Sequence, residues 1–543
     1  MEYRIYGRTL EKCICREGEI NAVIPKGVDT IGYEAFLDMT ELVSVVIPDG
    51  VKQINACAFF NCSSLRSITI PDSVTKIGAQ AFSGCLNLEE IRLPNGLEAV
   101  EEGLFEACES LCSIYLPDNV IRVESDAFFG CKSLKTAYIP KSAALLNPKA
   151  FRGCSSLETV EIDQDNQFYS SCSGMIFNKD KTELLLSPQG NKNVVIAEGV
   201  KVLYDYSLAY NQHTKAVYIP ESVAKLDIFV FAECRDLDRI DVDENNALFA
   251  SYDGAVYLKD MTQLIICPPG RKRLDIPEGV ISIGDGACMG SRLESVTFPS
   301  TLKSIGYSAF ACCKNIGYVD IPKSVTQIKG CAFYDTKWLR RMRKQDCFVT
   351  VNGILIDAHS LRGDVVVPQG VEVIGEESFS HCTNVRSITL PDTVTAIEEL
   401  AFCSCLNLQT LRLSSSVSSY NSSCVMSISN LKQIIADEDN KYFCSVNGVL
   451  YSKDRKTLIQ CPSGRETLVV PEGVEKIDDD AFQYCCFLAR LSLPDSLDLS
   501  NGASVFDFLD YLEFPSYEFR LYCSAGSSAE RFAKDYCIDY ETR

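Results

Sequence analysis

A proline recurs every 23 residues along the first part of this chain, and that period constrains the fold more than any other feature. The positions are Pro25, Pro48, Pro71, Pro94, Pro117 and Pro140. The same interval separates later pairs such as Pro368 and Pro391. A unit of this length cannot bury its own apolar face, so neighbouring units must stack and share one core. The 543 residues therefore predict a repeat solenoid rather than several globular domains.

Each repeat unit reads as one coil of backbone with an inward and an outward side. The unit that starts at Cys62 reads CSSLRSITIPDSVTKIGAQAFSG. Ile68 and Ile70 alternate with polar residues, as the inward positions of a short strand do. Pro71 ends that strand because it has no N–H for a further rung. Phe82 is predicted to fill the back of the coil, so the pattern indicates a mostly β fold with a continuous apolar interior.

The cysteines repeat in the same register. Of the 27 cysteines, ten occupy one slot of the unit: Cys62, Cys85, Cys108, Cys131, Cys154, Cys234, Cys313, Cys382, Cys405 and Cys485. A small buried thiol suits a tight, dry turn. Disulfides between coils about 4.8 Å apart are geometrically conceivable, but a reduced structural ladder is the favoured interpretation. No CxxC pair occurs, which argues against a zinc ribbon, and we predict neither a metal nor a cofactor.

The repeated IPDSVTKIGAQAFSGC-type segments resemble the BspA-like, or Treponema-type, leucine-rich repeat family, and the resemblance covers nearly the whole chain. It implies an α/β, mostly β, right-handed and curved solenoid. Parallel strands would line the concave face, and short 3₁₀ or helical turns would line the convex face. Members of this family are mostly noncatalytic binding proteins, and several are bacterial surface adhesins.

Longer units interrupt the plain repeat, and each resembles a small β-meander with a glycine turn. We expect an N-terminal β-cap over residues 1–28, the solenoid over 29–515 and a C-terminal helical cap over 516–543. The β-insert units are expected near residues 163–200, 243–280, 345–371 and 437–474. The glycines that mark their turns are Gly174, Gly254, Gly353 and Gly448. In the last segment Ser527-x-x-Glu530 is a capping box, which predicts a short helix.

Two charged clusters have a functional and a structural interpretation. Acidic segments such as Asp163-Gln164-Asp165-Asn166 precede three inserts and could bind Ca²⁺, but they do not match a calcium loop. We therefore favour an Asx-rich turn there. The basic stretch TKWLRRMRK around Trp338 could dock an acidic partner or nucleic acid. The favoured interpretation is a short solvated helix with Trp338 and Leu339 packed inward.

The overall charge narrows the class of partner. The chain has 52 Lys and Arg against 73 Asp and Glu, a formal charge of −21. Such a chain should repel nucleic acid and anionic membranes, and it has no apolar stretch long enough for membrane insertion. Its first residues do not resemble a secretory signal. We therefore expect a cytoplasmic protein, or a cell-surface or secreted one if the native N-terminus lies outside this sequence.

Residues typical of catalysis are sparse. The three histidines, His213, His359 and His381, are more than twenty residues apart, and no nucleophile motif, phosphate loop or HExxH occurs. The sequence therefore predicts that the protein is not an enzyme.

The outward positions of the strands are the best candidates for binding. Two residues before the proline slot, or four before it in one case, a side chain should face the open concave surface. We predict a binding strip formed by Arg92, Tyr115, Tyr138, Glu161, Tyr218, Asp241, Tyr318, Asp320 and Arg412. Tyrosine and arginine are enriched at binding hot spots, although tyrosine also suits any exposed strand. The predicted function is noncatalytic protein binding, with a partner that has a basic face; the alternative is a bacterial adhesin for host matrix or other cells.

Overall fold

The computed structural model describes residues 1–15, 18–190, 194–499 and 519–542. The chain forms two compact units of stacked coils. The first comprises Met1–Val280, Gly284–Thr297 and Cys312–Asn315, and the second comprises Ile281–Ile283, Phe298–Ala311 and Ile316–Arg543. Each unit is mostly β with parallel strands, which confirms the predicted solenoid fold. Residues 500–515, predicted as the last part of the solenoid, and 516–518 of the predicted cap lie outside the described residues.

In most coils a short strand just before the proline slot pairs in parallel with its equivalent in a neighbouring coil. In the first unit these strands are Asn21–Val23, Ser44–Val46, Ser67–Thr69, Glu90–Arg92, Ser113–Tyr115, Thr136–Ile139, Thr159–Ile162, Ala216–Ile219, Arg239–Val242, Arg273–Asp275 and Ser295–Thr297. In the second unit they are Gly363–Val366, Val385–Thr389, Thr410–Leu413, Gln433–Ala436, Thr467–Val469, Arg490–Ser492, Arg520–Cys523 and Tyr540–Thr542. In Ser67–Thr69 the central isoleucine is buried and its two neighbours are exposed. We call the outer surface of these strands the strand face.

Most coils carry a second strand of two residues that sequence reasoning did not identify. In the first unit these are Thr30–Ile31, Gln53–Ile54, Lys76–Ile77, Ala99–Val100, Arg122–Val123, Leu145–Leu146, Val202–Leu203 and Lys225–Leu226. In the second they are Ser282–Ile283, Ser304–Ile305, Gln327–Ile328, Val373–Ile374, Ala396–Ile397, Ser419–Tyr420 and Lys476–Ile477. They pair with one another in parallel, so the coils are hydrogen-bonded to their neighbours on two sides.

The segment that closes a coil is usually an irregular turn, where the family resemblance implies 3₁₀ or helical turns. The described residues hold one 3₁₀ helix, Ser422–Val425, and two α-helices, α1 at Lys337–Met342 and α2 at Ser528–Asp535. Residues with positive φ interrupt the closing turns, for example Gln80 at 54° and Asp126 at 53°. Because right-handed helices require negative φ, these residues stop a helix from continuing through the turn.

The interior of the first unit contains a stack of phenylalanines, one from each coil. The rings belong to Phe36, Phe59, Phe82, Phe105, Phe128 and Phe151. Neighbouring centroids are 4.7 to 5.7 Å apart, and neighbouring planes differ by at most 18°. Burial of each such side chain stabilises the fold by about 1.5–3 kcal/mol. The stack confirms that this slot of the repeat fills the back of the coil.

The insert units form antiparallel meanders. Their strands are Tyr169–Cys172, Met175–Asn178 and Glu183–Leu186; Phe249–Tyr252, Ala255–Leu258 and Gln263–Ile266; Phe348–Val351 and Ile354–Ala358; and Phe443–Val446, Val449–Ser452 and Thr457–Gln460. Gly174 has φ of 78° and follows Ser173 at 51°. Two successive positive φ values make the type I′ turn that suits a two-residue hairpin. In three of the inserts the return strand then pairs in parallel with the next two-residue strand, as Glu183 does opposite Val202.

The two ends of the chain carry a hairpin and a helix. Strands Glu2–Tyr6 and Thr9–Ile14 pair in antiparallel orientation inside the predicted N-terminal cap. Before α2, the Oγ of Ser527 accepts a hydrogen bond from the N–H of Glu530 at 3.2 Å, as the capping box predicts. The last strand, Tyr540–Thr542, pairs in parallel with Arg520–Cys523.

Candidate functional site

Tyr115 and Tyr138 form a stacked aromatic pair on the strand face of the first unit. The three strands there are in register, so that Tyr115 lies opposite Tyr138, and Tyr138 lies opposite Glu161. The ring centroids are 4.4 Å apart and the ring planes differ by 1°. Tyr115 is 61% exposed, Tyr138 is partly buried, and Glu161 is exposed. Three of the predicted positions are therefore brought together, and they combine a flat aromatic surface with an acidic edge.

The hydroxyl of Tyr138 is fixed by the first acidic residue of the following turn. It donates to Oδ2 of Asp163 at 2.6 Å, while Oδ1 of Asp163 accepts from the backbone N–H of Asp165 at 2.8 Å. This hydrogen bond, with some burial, raises the pKa of the Tyr138 phenol and lowers the pKa of Asp163. Both groups therefore keep one protonation state around neutral pH, and the Tyr138 ring is held in place before any partner arrives.

A second tyrosine, Tyr218, is also held by a hydrogen bond to an aspartate of the following turn. The hydroxyl of Tyr218 donates to Asp243, whose other oxygen accepts from the N–H of Asn245 at 2.8 Å. The bond to Asp243 raises the pKa of Tyr218 to about 12. Tyr218 is 50% exposed and lies opposite Asp241, which forms an ion pair with Arg239 at 2.6 Å. This second position therefore presents one fixed ring flanked by a neutralised charge pair.

Arg92 lies on a different hydrogen-bonded sheet from the tyrosine pair. Its strand, Glu90–Arg92, is the last of the four that start at Asn21–Val23, and the sheet with Tyr115 begins one coil later. The guanidinium contacts both carboxylate oxygens of Asp72, at 2.9 and 3.1 Å. Its strand still contacts the strand of Tyr115, so Arg92 belongs to the coil beside the tyrosine pair, but its charge is already paired.

The remaining candidates belong to the second unit. Arg412 is exposed on the strand face within Thr410–Leu413, as predicted. Tyr318 and Asp320 are exposed on either side of the buried Val319, as their predicted outward positions require, but the segment is not a strand. One repeat later the chain forms α1, and the N–H of Trp338 donates to the carbonyl of Ile316 at 2.7 Å. Because a helix directs most of its N–H groups along its own axis, it cannot supply the rungs that a strand at Tyr318 would need.

The acidic segments before the inserts are Asx-type turns, as predicted. The amide of Asn166 is fully buried and donates to the carbonyls of Pro140 and Ala143, both at 2.9 Å. Its Oδ1 accepts from the N–H groups of Phe168 and Tyr169, both at 2.8 Å. The equivalent bonds recur at Asn246 and Asn440. These side chains join the insert to the coil before it, which accounts for the Asp/Asn composition.

The repeated cysteine slot has a hydrogen-bonding role. The thiol of Cys62 donates to the carbonyl of Phe36 at 3.1 Å, and that of Cys108 donates to the carbonyl of Phe82 at 3.3 Å. Eight of the ten slot cysteines lie 25 or 26 residues after their acceptor, and the other two lie 24 after it. Burial raises the pKa of Cys62 and Cys234 to about 12. Cys62 and Cys234 are therefore protonated at neutral pH, and the thiols of the slot each satisfy a buried carbonyl.

The basic stretch around Trp338 is the helix that the sequence predicts. Helix α1 begins after Thr336, whose Oγ1 accepts from the N–H of Leu339 at 3.0 Å. Trp338 and Leu339 are buried, at 4% and 5% exposure. Beyond the helix, the guanidinium of Arg343 forms a two-point ion pair with Asp357. The stretch is thus anchored by its aromatic and aliphatic residues, while Arg340 and Arg341 remain at the surface.

Sequence reasoning overlooked one grouping of polar residues. His359 and His381 line the same cavity in the second unit, together with Cys331, Arg343 and Glu377. The two histidines are 22 residues apart, which is close to one repeat, so their spacing was the signal that could have revealed them. Within the described ranges, no cluster of three or more His, Cys, Asp and Glu side chains has a metal-binding arrangement. No helix in those ranges is long and apolar enough to cross a membrane.

Comparison with known families agrees with the repeat and its coil structure. Six copies of the BspA type leucine rich repeat region match residues 29–158, 187–254, 270–351, 359–446 and 455–516. The chain belongs to this BspA-type family. Its coils, cysteine slot and phenylalanine stack are thus the repeated scaffold of a family member, while the strand-face residues differ from coil to coil. No curated protein matched the sequence.

Solved structures of bacterial leucine-rich repeat proteins are similar to this chain. A protein from Eubacterium ventriosum is 20% identical, with a TM-score of 0.43, over 58% of this chain and 89% of that one. A leucine rich cell surface protein from Faecalibacterium prausnitzii is 22% identical, with a TM-score of 0.36, over 76% and 90%. One from Bacteroides ovatus is 20% identical, with a TM-score of 0.29, over 95% and 97%.

Proposed function

We propose that this BspA-type chain is a noncatalytic scaffold whose strand face binds a partner protein. The observation that carries the proposal is the stacked pair of Tyr115 and Tyr138, fixed through Asp163 and open on its outer side. Exposed tyrosines of this kind supply large contact area at interfaces and often dominate the binding energy.

The proposal that the strand face binds a protein is strengthened because tyrosine side chains there are held in place before any partner binds. A side chain that is already immobilised loses less conformational freedom when a partner docks, and each ordered side chain otherwise costs about 0.5–1.5 kcal/mol. Tyr138 and Tyr218 are both held by an aspartate from the following turn. The scaffold thereby presents two rigid aromatic anchors on the strand face of one unit.

The charge around these anchors supports a partner with a basic surface. Glu161 is exposed beside the tyrosine pair, and the chain as a whole carries a formal charge of −21. Complementary charge mainly raises the association rate, and salt weakens it. The cytoplasmic location and the adhesin alternative stay predictions from the sequence.

The test starts from a pull-down with the full chain and identification of retained proteins by mass spectrometry. Each retained protein is then titrated against wild type and against a variant with Tyr115→Ala and Tyr138→Ala. We expect at least about a tenfold loss of affinity, because truncation of a hot-spot tyrosine costs on the order of 2 kcal/mol.

Tyr33→Ala is the matched control. Tyr33 is also 61% exposed and belongs to the same unit, but it lies in a closing turn and not on the strand face. This variant should bind as wild type does. If the double variant keeps full affinity for every retained protein, the strand-face proposal is wrong.

A further inference from the structure

A cavity of about 610 Å³ lies among the closing turns of the second unit, beside the end of α1. Side chains at its wall include those of Tyr307, Tyr334, His359 and His381. Pockets for small molecules usually have volumes of about 300–1,000 Å³. None of these residues belongs to the strand face, so this cavity is independent of the surface proposed above.

One wall of the cavity is a rigid polar group of three side chains. The Nε of Arg343 donates to Oδ2 of Asp357 at 2.9 Å, and a second guanidinium nitrogen contacts Oδ1. The Nε2 of His359 lies 2.9 Å from the carbonyl oxygen of Arg343, and a carbonyl can only accept. Nε2 therefore carries a hydrogen, and the ring is held in one orientation. Asp357 and His359 are mostly buried, with 14% and 22% of their side chains exposed.

A second polar group of the lining is organised by Glu377. One of its carboxylate oxygens accepts from the thiol of Cys331 at 3.0 Å, and the other accepts from the hydroxyl of Tyr307 at 3.4 Å. Burial, with the neighbouring Glu377, raises the pKa of Cys331 to about 12. Cys331 is therefore a thiol that donates a hydrogen bond at neutral pH. This group is also formed before any ligand enters.

The charges of the lining are balanced. It contains two arginines, Arg343 and Arg362, and two carboxylates, Asp357 and Glu377. Arg343 is neutralised by Asp357 within the wall itself. Arg362 and Glu377 add one further charge of each sign, so the lining has no excess of either sign and a ligand with a net charge would lose hydration for no net electrostatic gain. A neutral ligand avoids that cost.

The rim combines aromatic rings with hydrogen-bonding groups. Tyr307 is 39% exposed and Tyr334 is 53% exposed. Around them, Ser380, Thr383 and Asn384 supply hydroxyl and amide groups that both donate and accept. A ring with apolar C–H faces and polar edges matches this combination, because its faces pack on tyrosine while its hydroxyls bond to the rim.

We propose that this cavity binds a small neutral sugar, a mono- or disaccharide whose ring packs against Tyr334. Its hydroxyl groups bond to the polar rim, and the polar groups Arg343–Asp357–His359 and Cys331–Glu377–Tyr307 set the shape of the site. The sugar site uses residues of the second unit alone and does not depend on protein binding at the strand face.

The test uses the purified full chain and saturation-transfer NMR with single compounds as probes. The neutral probes are glucose, galactose, N-acetylglucosamine and cellobiose. Glucuronate serves as an anionic probe and glutamine as a zwitterionic one. We expect saturation transfer to at least one neutral sugar, with millimolar or tighter affinity measured by titration, and none to glucuronate or glutamine.

Two variants identify the site. Tyr334→Ala should weaken sugar binding by about tenfold, since an aromatic packing contact contributes on the order of 1 kcal/mol. Tyr442→Ala is the matched control, because Tyr442 is 54% exposed in the same unit but does not line the cavity, and it should leave the affinity unchanged. Circular dichroism checks that both variants are folded. The proposal is overturned if no neutral sugar binds, if only a charged probe binds, or if folded Tyr334→Ala binds as wild type does.

Discussion

An inner position of the coils keeps one residue type from coil to coil, whereas an outer position of the same coils varies. In the first unit the ring slot holds a phenylalanine in six stacked coils, and every one of these rings is buried. On the strand face, the residue two before the proline slot changes from coil to coil: Val46, Thr69, Arg92, Tyr115 and Tyr138. The inner slot has one geometric solution that repeats. The outer position is free of that constraint, so its residue type can vary from coil to coil.

The largest expected effect that distinguishes the inner from the outer positions is the change in the free energy of unfolding at alkaline pH. Burial raises the pKa of Cys62 from 9.0 to about 12, while an unfolded chain ionises this thiol near 9.0. The stabilisation is therefore complete below pH 9.0 and is lost as the pH rises towards about 12. Ionisation linked to Cys62 alone should lower the free energy of unfolding by about 1.4 kcal/mol per pH unit in that window.

Urea unfolding at a series of pH values measures this slope. Cys62→Ala should make the pH dependence of the free energy of unfolding shallower by the amount that one linked proton contributes. Alanine at the exposed Cys112 should leave this dependence unchanged. Equal slopes for wild type and Cys62→Ala would show that the slot thiols do not control alkaline stability.

The next largest effect is expected from the phenylalanine stack. Phe105→Ala should lower the free energy of unfolding by about 3–5 kcal/mol, because it leaves a cavity between two stacked rings. Tyr115→Ala, on the strand face, should lower it by only about 0.5–1.5 kcal/mol, since it removes the stacking contact with Tyr138. Thermal and urea unfolding of both variants would test the contrast, and similar losses would contradict it.

A smaller effect is expected when a slot thiol becomes a hydroxyl. Cys108→Ser should cost about 1–3 kcal/mol, since a shorter and more polar group is placed in a fully buried site. Cys112 is exposed in the next turn of the same coil, and Cys112→Ser should be neutral. Unfolding curves measured side by side give the answer. A neutral Cys108→Ser would indicate that the slot selects for size alone.

The smallest expected effect concerns the aspartate that fixes Tyr138. The hydrogen bond to Asp163 raises the pKa of Tyr138 above its ordinary value of 10.0. Asp163→Asn keeps an acceptor but removes the charge, so the Tyr138 pKa should fall towards 10.0. Ultraviolet absorption of phenolate, compared with a Tyr138→Phe background, follows this one titration. Affinity for a strand-face partner should fall only a few-fold, and an unchanged titration would show that Asp163 does not hold the ring.

Sequence periodicity predicted the features that recur in every coil. The inward Ile68, the stacked Phe82, the slot cysteines and the Asx turns at Asn166 all follow from local rules applied at one spacing. At Tyr318 it predicted the exposed side chain but not the absence of a strand, because the next repeat forms α1 and offers no strand to pair with. A fixed repeat period predicts that each strand has a pairing strand in the next coil. A single irregular coil leaves the preceding strand without that partner.

Contacts between coils were harder to anticipate. The bond from Tyr138 to Asp163 joins residues 25 apart, and the bond from Cys331 to Glu377 joins residues 46 apart. Both separations are close to one or two repeats, so the residues become neighbours only once coils are stacked. Which side chains then come into contact depends on their rotamers and on the geometry of the turns. The repeat pattern of the sequence specifies neither. The cavity with His359 and His381 was missed for this reason.

The way the inserts join the neighbouring coils affects how a chain of this kind can change in length. Each long insert is joined to the preceding coil by one buried asparagine, and in three of the inserts the return strand offers the following coil the same parallel edge that a plain coil would. A coil with its insert therefore ends in the same backbone pairing as a plain coil. Gain or loss of such a unit would preserve the backbone pairing at both junctions, so a chain of this kind can change length by whole coils.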